Sequence, residues 1–112
     1  MNKKYIIRKN QDIEKIIKSN KKIVGKNFII YYDTNNLNYN RFCISVSKKI
    51  GKANVRNLLK RKVKDILMKN NLDSSYDYVI ILRNGVISLT YIEMRDEIIN
   101  LLKGNTKWKR KY

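Results

Sequence analysis

The side chains best equipped for chemistry are cations, and they gather between Ser47 and Lys64 in the stretch SKKIGKANVRNLLKRKVK. Lys48, Lys49, Lys52, Arg56, Lys60, Arg61, Lys62 and Lys64 all lie in it, and no acid does. Ammonium and guanidinium groups donate charge-assisted hydrogen bonds to phosphate oxygens. Their spacing matters as much as their number. At about 100° per residue, Val55, Leu59, Val63 and Ile66 fall along one face of a helix, and Arg56, Asn57, Lys60, Arg61 and Lys64 fall on the opposite side. Such a surface suits a polyanion with regularly spaced phosphates. The plainer reading is a solvated face in a Lys-rich chain, although a solvated helix ordinarily mixes both signs.

Other chemistries lack residues. The sequence has no His, so His-based acid–base catalysis and His ligation of zinc are excluded. Cys43 is the only cysteine, which excludes an intramolecular disulfide and a Cys-rich metal site. No base is available to activate it as a nucleophile. The one dense acid group, Glu93, Asp96 and Glu97, has helical spacing near a helix start, where the helix dipole favours acids without any metal. A stand-alone nuclease would need a carboxylate constellation or a His pair. Neither is evident.

The 112 residues fit a single domain, and 43% hydrophobic content suffices for one core. A formal net charge of +17 points to nucleic-acid or anionic-membrane partners. No segment approaches the roughly 18 apolar residues of a membrane span, and the N-terminus MNKKYIIRKN lacks the apolar run of a signal peptide. A peripheral membrane role fails for want of a lipid-facing apolar surface. The expected location is cytoplasmic.

The elements that must position the cations follow from periodicity and turn residues. Residues 1–9 read as a loosely ordered basic tail. Asn10 is a candidate cap for a short helix whose Ile13, Ile16 and Ile17 share a face, with core packing as their plainest role. Lys21 to Val24 reads as a short strand, Gly25 as a bulge or turn, and Asn27 to Asp33 as a stronger strand. Asp33 to Asn40 has the composition of a loop. Arg41 to Ser47 alternates, with Phe42, Ile44 and Val46 on one face and Cys43, Ser45 and Ser47 on the other. That small polar strip either floors a groove or is a solvated sheet face. The basic helix is predicted over Ala53 to Met68, a loop over Asn70 to Asp77, and a strand buried on both faces over Tyr78 to Leu82. Thr90-Tyr91-Ile92-Glu93 is a capping box opening a helix through Leu102, with Gly104 as its stop. Residues 105–112 form a second basic tail, either frayed or in contact with RNA. The fold class is α+β: a single-domain α/β sandwich of order αβββαβα spanning residues 1–112.

The central stretch resembles the signature of the bacterial ribonuclease P protein subunit, a Lys-rich strand end and a Gly followed by an Arg-Asn-Arg helix and then Lys-Arg. Lys48-Lys49-Ile50-Gly51 matches the lead-in, Ala53 the small residue, Arg56-Asn57 the first two motif positions and Lys60-Arg61 the trailing pair. Leu58 stands where the third motif position has Arg, so one cation of the family's RNA-binding face is missing. Lys62 stands where the family is apolar, and its stem is expected to pack while its ammonium stays in water. The match runs over essentially the whole chain.

The resemblance implies a left-handed βαβ crossover through the basic helix, against the general right-handed rule. It implies that the catalyst is an RNA subunit and that the protein carries no catalytic residues. On that resemblance the protein would bind the catalytic RNA of ribonuclease P, one protein per RNA, and would assist magnesium-dependent hydrolytic removal of the 5′ leader from precursor tRNA. The magnesium would be held mainly by the RNA subunit and the substrate. Arg56, Asn57, Lys60, Arg61 and Lys64 would meet the RNA subunit. Ile13, Ile17, Tyr31, Lys48, Lys49, Lys52 and Arg83 would form the groove for the leader, with Ile13 and Ile17 replacing aromatic residues of the family. Composition and charge alone suit a ribosomal or general structured-RNA-binding protein equally well.

Overall fold

The computed structural model describes residues 3–70 and 75–111, the last eight by backbone alone. The elements are α1 (Asn10–Lys18), β1 (Lys22–Val24), β2 (Phe28–Thr34), β3 (Arg41–Val46), α2 (Ala53–Lys69), β4 (Tyr76–Leu82) and α3 (Tyr91–Lys111). Short 3-10 turns lie at Lys3–Tyr5 and Asn84–Ser88. The order is the one read from the sequence.

The strands form one sheet in the order β1-β2-β4-β3. β1 and β4 flank β2 antiparallel, whereas β3 and β4 run parallel and are joined by α2 as the crossover. The unbroken apolar run of β4 now has its reason. As an interior strand it is covered on both faces, with Tyr78, Ile80 and Leu82 in the larger core and Val79 in a smaller one.

The larger core lies under α2 and α3. Leu59, Val63, Ile66 and Leu67 of α2 and Met94, Ile98 and Leu102 of α3 pack there on Phe28, Ile30, Phe42 and Val46 of the strands. Alternation in β3 decides which side chains reach it: Phe42 and Val46 are buried there and Ile44 packs against it, while Cys43 faces the other side. On that other side α1 places Ile16 against Val79 and Ile7.

Several boundaries differ from the sequence reading. The cap of α1 is Lys9, in extended conformation and without a side-chain cap bond, and Asn10 is the first helical residue. β4 begins at Tyr76 because buried Asp77 is paired with Arg41 (2.6 Å), which extends the pairing past the apolar run. Residues 1–9 are not wholly a loose tail. Ile6 bridges Phe42, and Ile7 is buried, the apolar pair anchoring the segment to the outer side of β3. Gly104 does not stop α3, which continues to Lys111. One glycine costs a helix only about 1 kcal/mol relative to alanine. The capping box forms as read: the Thr90 amide donates to Glu93 Oε1 at 2.9 Å, and the Glu93 amide donates to Thr90 Oγ1 at 3.2 Å.

Candidate nucleic-acid interface

α2 presents its cations in two ways. Asn57 and Arg61 point away from the domain and are exposed. Arg56, Lys60 and Lys64 are half-buried, so the stripe lies on a flank of the helix and not on its outermost face. That flank overhangs β3, where Lys60 and Lys64 line a cleft with Cys43 and Ile44. Arg56 Nε is enclosed, without a hydrogen-bond partner among the described residues. Lys62 is half-buried, as expected for a packed stem. Val55, read as part of the buried face, is 37% exposed. The first turn of α2 packs on its own lead-in, since a Cβ at Gly51 would come within 3.0 Å of Val55 Cγ1.

The parallel pair β3–β4 brings a second set of cations together. Val46 pairs with Leu82, so Lys48 and Lys49 follow β3 at the same end of the sheet at which Arg83 follows β4. Ile50 is buried and anchors this loop, leaving Lys48, Lys49 and Lys52 exposed. Arg83 Nη1 donates to the Gly25 carbonyl at 3.1 Å, which draws the β1–β2 turn into the same end. No described ion pair engages any of these cations or those of the α2 stripe.

Register also defines a groove on the face shared with α1. Tyr31, Val79 and Cys43 form one row across β2, β4 and β3, and Ile29, Ile81 and Ser45 form the next row toward the cationic end. Ile13 and Tyr31 pack against the small core, and Ile17 stands 39% exposed. The structure therefore brings Ile13 and Tyr31 together, with Ile17 rising beside them on α1. Lys48, Lys49, Lys52 and Arg83 mark the far end of the groove. Lys22 Nζ lies 5.8 Å from the centroid of the Tyr31 ring, close enough for a cation–π contact.

The acids collect elsewhere. Asp33, Asp77 and Arg41 make the row at the opposite end of the sheet, where the Arg41 guanidinium donates to both Asp77 oxygens at 2.9 and 2.6 Å. That bond raises the Arg41 pKa above its ordinary value. Asp12 stands 4.0 Å from Arg41, and Lys21 lies 3.5 Å from Asp33. The sheet is thus polarised, cationic at one end and mixed at the other.

Burial pushes the Cys43 thiol up, against a smaller opposing pull from Lys60, so the thiol stays protonated and a weak nucleophile. Glu93 serves the capping box, Asp96 pairs with Arg95 at 3.1 Å, and Glu97 accepts from the Asn27 amide and side chain at 2.8 and 2.7 Å. Among the described residues no three carboxylate or thiol groups converge on one point.

Two supports of the interface went unseen in the sequence. Glu97 braces Asn27, whose carbonyl accepts from the Arg83 amide at 2.9 Å, and so fixes the cationic end. Lys22 reaches Tyr31 only through the pairing of β1 with β2. Both depend on residues far apart or on opposite strands, and neither has a local signature.

Comparison with known proteins bears on this geometry. The family model described as Ribonuclease P matches residues 1–105. The chain is 36% identical over 104 residues to the ribonuclease P protein component of Streptococcus agalactiae serotype III (strain NEM316), covering 92% of this chain and 95% of that protein. It is 40% identical over 106 residues to the protein of the same name from Mycoplasma mycoides subsp. mycoides SC, covering 92% and 97%. The solved RNase P protein from Thermotoga maritima superposes with a TM-score of 0.81 at 31% identity, over 87% of this chain and 94% of that one.

Proposed function

The chain belongs to the Ribonuclease P protein family, and from that membership we propose that it is the RNA-binding component of an endoribonuclease whose active site lies in the RNA. In this reading the partner is the catalytic RNA of ribonuclease P, and the substrate is precursor tRNA, cleaved to release its 5′ leader. The observation that carries it is the acid-free run Lys48–Lys64, whose cations have no ion-pair partner among the described residues. Charges left unneutralised within the protein are available to phosphates, and each contact releases a counterion.

Two surfaces divide the work. Arg56, Asn57, Lys60, Arg61 and Lys64 meet the phosphates of the catalytic RNA, which adds affinity and fixes register without reading sequence. The groove over Tyr31 and Ile13 takes the single-stranded leader, and Lys48, Lys49, Lys52 and Arg83 hold its phosphates at the groove's end. Tyr31 offers a ring for stacking, and Ile13 and Ile17 offer aliphatic contact. The magnesium used by the reaction belongs to the RNA and the substrate. The protein's own contribution is positioning and charge. A ribosomal role suits the charge equally well, but the ordered motif and the family match favour tRNA processing.

The test is reconstitution. Protein stripped of RNA is expected to leave precursor tRNA intact with magnesium present. Added to a bacterial ribonuclease P RNA, it is expected to give leader cleavage at lower magnesium than the RNA needs alone. Specific cleavage by RNA-free protein would overturn the placement of the active site. A protein that leaves the RNA's magnesium requirement unchanged would overturn the reading itself.

A further inference from the structure

The N-terminal segment accompanies β3 along its outer side only as far as the bridge between Ile6 and Phe42, where the Ile7 amide donates to the Phe42 carbonyl at 2.9 Å. β3 is an edge strand, and beyond that bridge its outer side has no strand partner among the described residues. The cationic flank of α2 lies across this open stretch and leaves a cleft of about 180 Å³. Ile6, Ile7, Cys43 and Ile44 supply an apolar lining, and Lys60 and Lys64 complete it.

We propose that this cleft receives the base of one unpaired nucleotide of the partner RNA, with Lys60 and Lys64 holding the adjoining phosphates. The proposal rests on the RNA-binding reading above and adds to it a contact that salt does not screen. Size is the first reason. The cleft is smaller than the roughly 300–1,000 Å³ of ordinary small-molecule sites, so a single ring system enters while sugar and phosphate stay outside. Chemistry is the second: an apolar lining flanked by ammonium groups matches a base joined to a phosphodiester, and single-stranded RNA is bound by splaying out its bases. The third is the strand edge, whose unpaired peptide groups offer a donor and an acceptor to the edge of a base. A peptide adding to β3 as a further strand would meet the same two ammonium groups in a chain of net charge +17, so the charge favours RNA. The nucleotide belongs either to the catalytic RNA or to the leader, and the test separates these sources.

Thiol alkylation reads occupancy directly. Cys43 also faces the groove over α1, so the reporter is moved to the α2 side of the strand with Cys43→Ser and Ile44→Cys. This full-length protein is treated with N-ethylmaleimide and followed by mass spectrometry, alone, with bacterial ribonuclease P RNA, and with precursor tRNA. The RNA that supplies the base is expected to slow alkylation about ten-fold or more. Hexauridylate should protect, and an abasic ribose-phosphate hexamer of equal charge should not. In the otherwise native protein, Ile44→Trp, on the α2 side of the strand, fills the cleft and is expected to weaken RNA binding about ten-fold with the salt slope unchanged, because no cation is lost. Should the double variant fail to fold, native Cys43 is followed with the catalytic RNA, which carries no leader. Bound RNA that leaves the thiol reacting at its free rate overturns the proposal, as does equal protection by the abasic hexamer. So does a folded Ile44→Trp protein with native affinity, or protection by an acidic peptide and by neither RNA. If neither RNA binds the protein at all, the RNA-binding reading falls and takes the proposal with it.

Discussion

Among the described residues, sixteen buried side chains join α2 and α3 on one face of the sheet, and three join α1 on the other. The strands contribute alternate residues to both sides, so the difference lies in the cover. One face lies under helices of 17 and 21 residues, and the other under a helix of 9. The closed face holds the fold together. The other leaves Ile29 and Ile81 half-buried and Ser45 exposed, and a ligand can use what the core does not. α2 belongs to both regions, since its inner side is core and its β3-facing flank is charged.

If the closed face carries stability, the largest effect should come from Leu59→Ala. This residue is 6% exposed, and its truncation is expected to cost about 2–5 kcal/mol in a denaturant melt. Ile16→Ala on the other face should fall at the low end of that range or below it, because α1 rests on few buried neighbours and can settle into the space. Equal losses would erase the distinction between the faces.

The open face is tested by binding. Tyr31→Ala is expected to weaken the holoenzyme's affinity for leader-bearing precursor tRNA by about 1–3 kcal/mol and to affect mature tRNA much less. Equal losses for the two RNAs would make Tyr31 a packing residue of the small core and nothing more.

The charged flank calls for a salt series. Replacing Arg56, Lys60 or Lys64 with Ala should reduce the slope of log affinity against log salt by a little under about one unit each, roughly additively. Arg56 is half-buried and its enclosed stem also packs, so its variant is expected to lose some stability as well. A folded triple variant that keeps the native slope would remove α2 from the interface.

The smallest effect concerns the tether between α2 and α3. The Tyr91 hydroxyl donates to Asp65, and with help from Lys69 it holds the Asp65 carboxyl below its ordinary value. The same bond raises the Tyr91 pKa. A depressed carboxylate contributes stability above its unfolded value and loses it as pH falls through the folded one. A raised phenol contributes below its unfolded value and loses it as pH rises through the folded one. The stability difference between the native chain and Tyr91→Phe should therefore be present near neutral pH. It should shrink on acidification below the usual aspartate range and again above the usual tyrosine range. A difference that stays constant across pH would assign the effect of Tyr91 to ring packing.

Much of this arrangement was legible in the chain itself. Element order, the burial of Tyr78–Leu82, the capping box at Thr90 and the cationic run on α2 all follow from periodicity and composition, because each is a local property of neighbouring residues. The lead-in Lys48-Lys49-Ile50-Gly51 and the pairs Arg56-Asn57 and Lys60-Arg61 were enough to suggest the family, since they too lie within one short stretch. The helical wheel, however, sorts residues only around one axis. It placed Val55 inside and Arg56, Lys60 and Lys64 outside, whereas the sheet stops short of the first turn and β3 closes against the flank. Local propensity likewise set too early an end for the last helix at Gly104 and too loose a start at Ile6 and Ile7.

The rest was decided by strand order. Placing β4 between β2 and β3 brings Arg83 to the end of the sheet that carries Lys48 and Lys49, aligns Tyr31 with Val79 and Cys43, and leaves the outer side of β3 open beneath Lys60 and Lys64. None of these neighbours is near the others in sequence. The sequence by itself determined which segments become helices and strands and where the positive charge would be concentrated, because side-chain periodicity and charge are carried residue by residue. Only the tertiary structure decided which of those charges share an end of the sheet, a groove or a cleft, because pairing register is set by how the whole core packs.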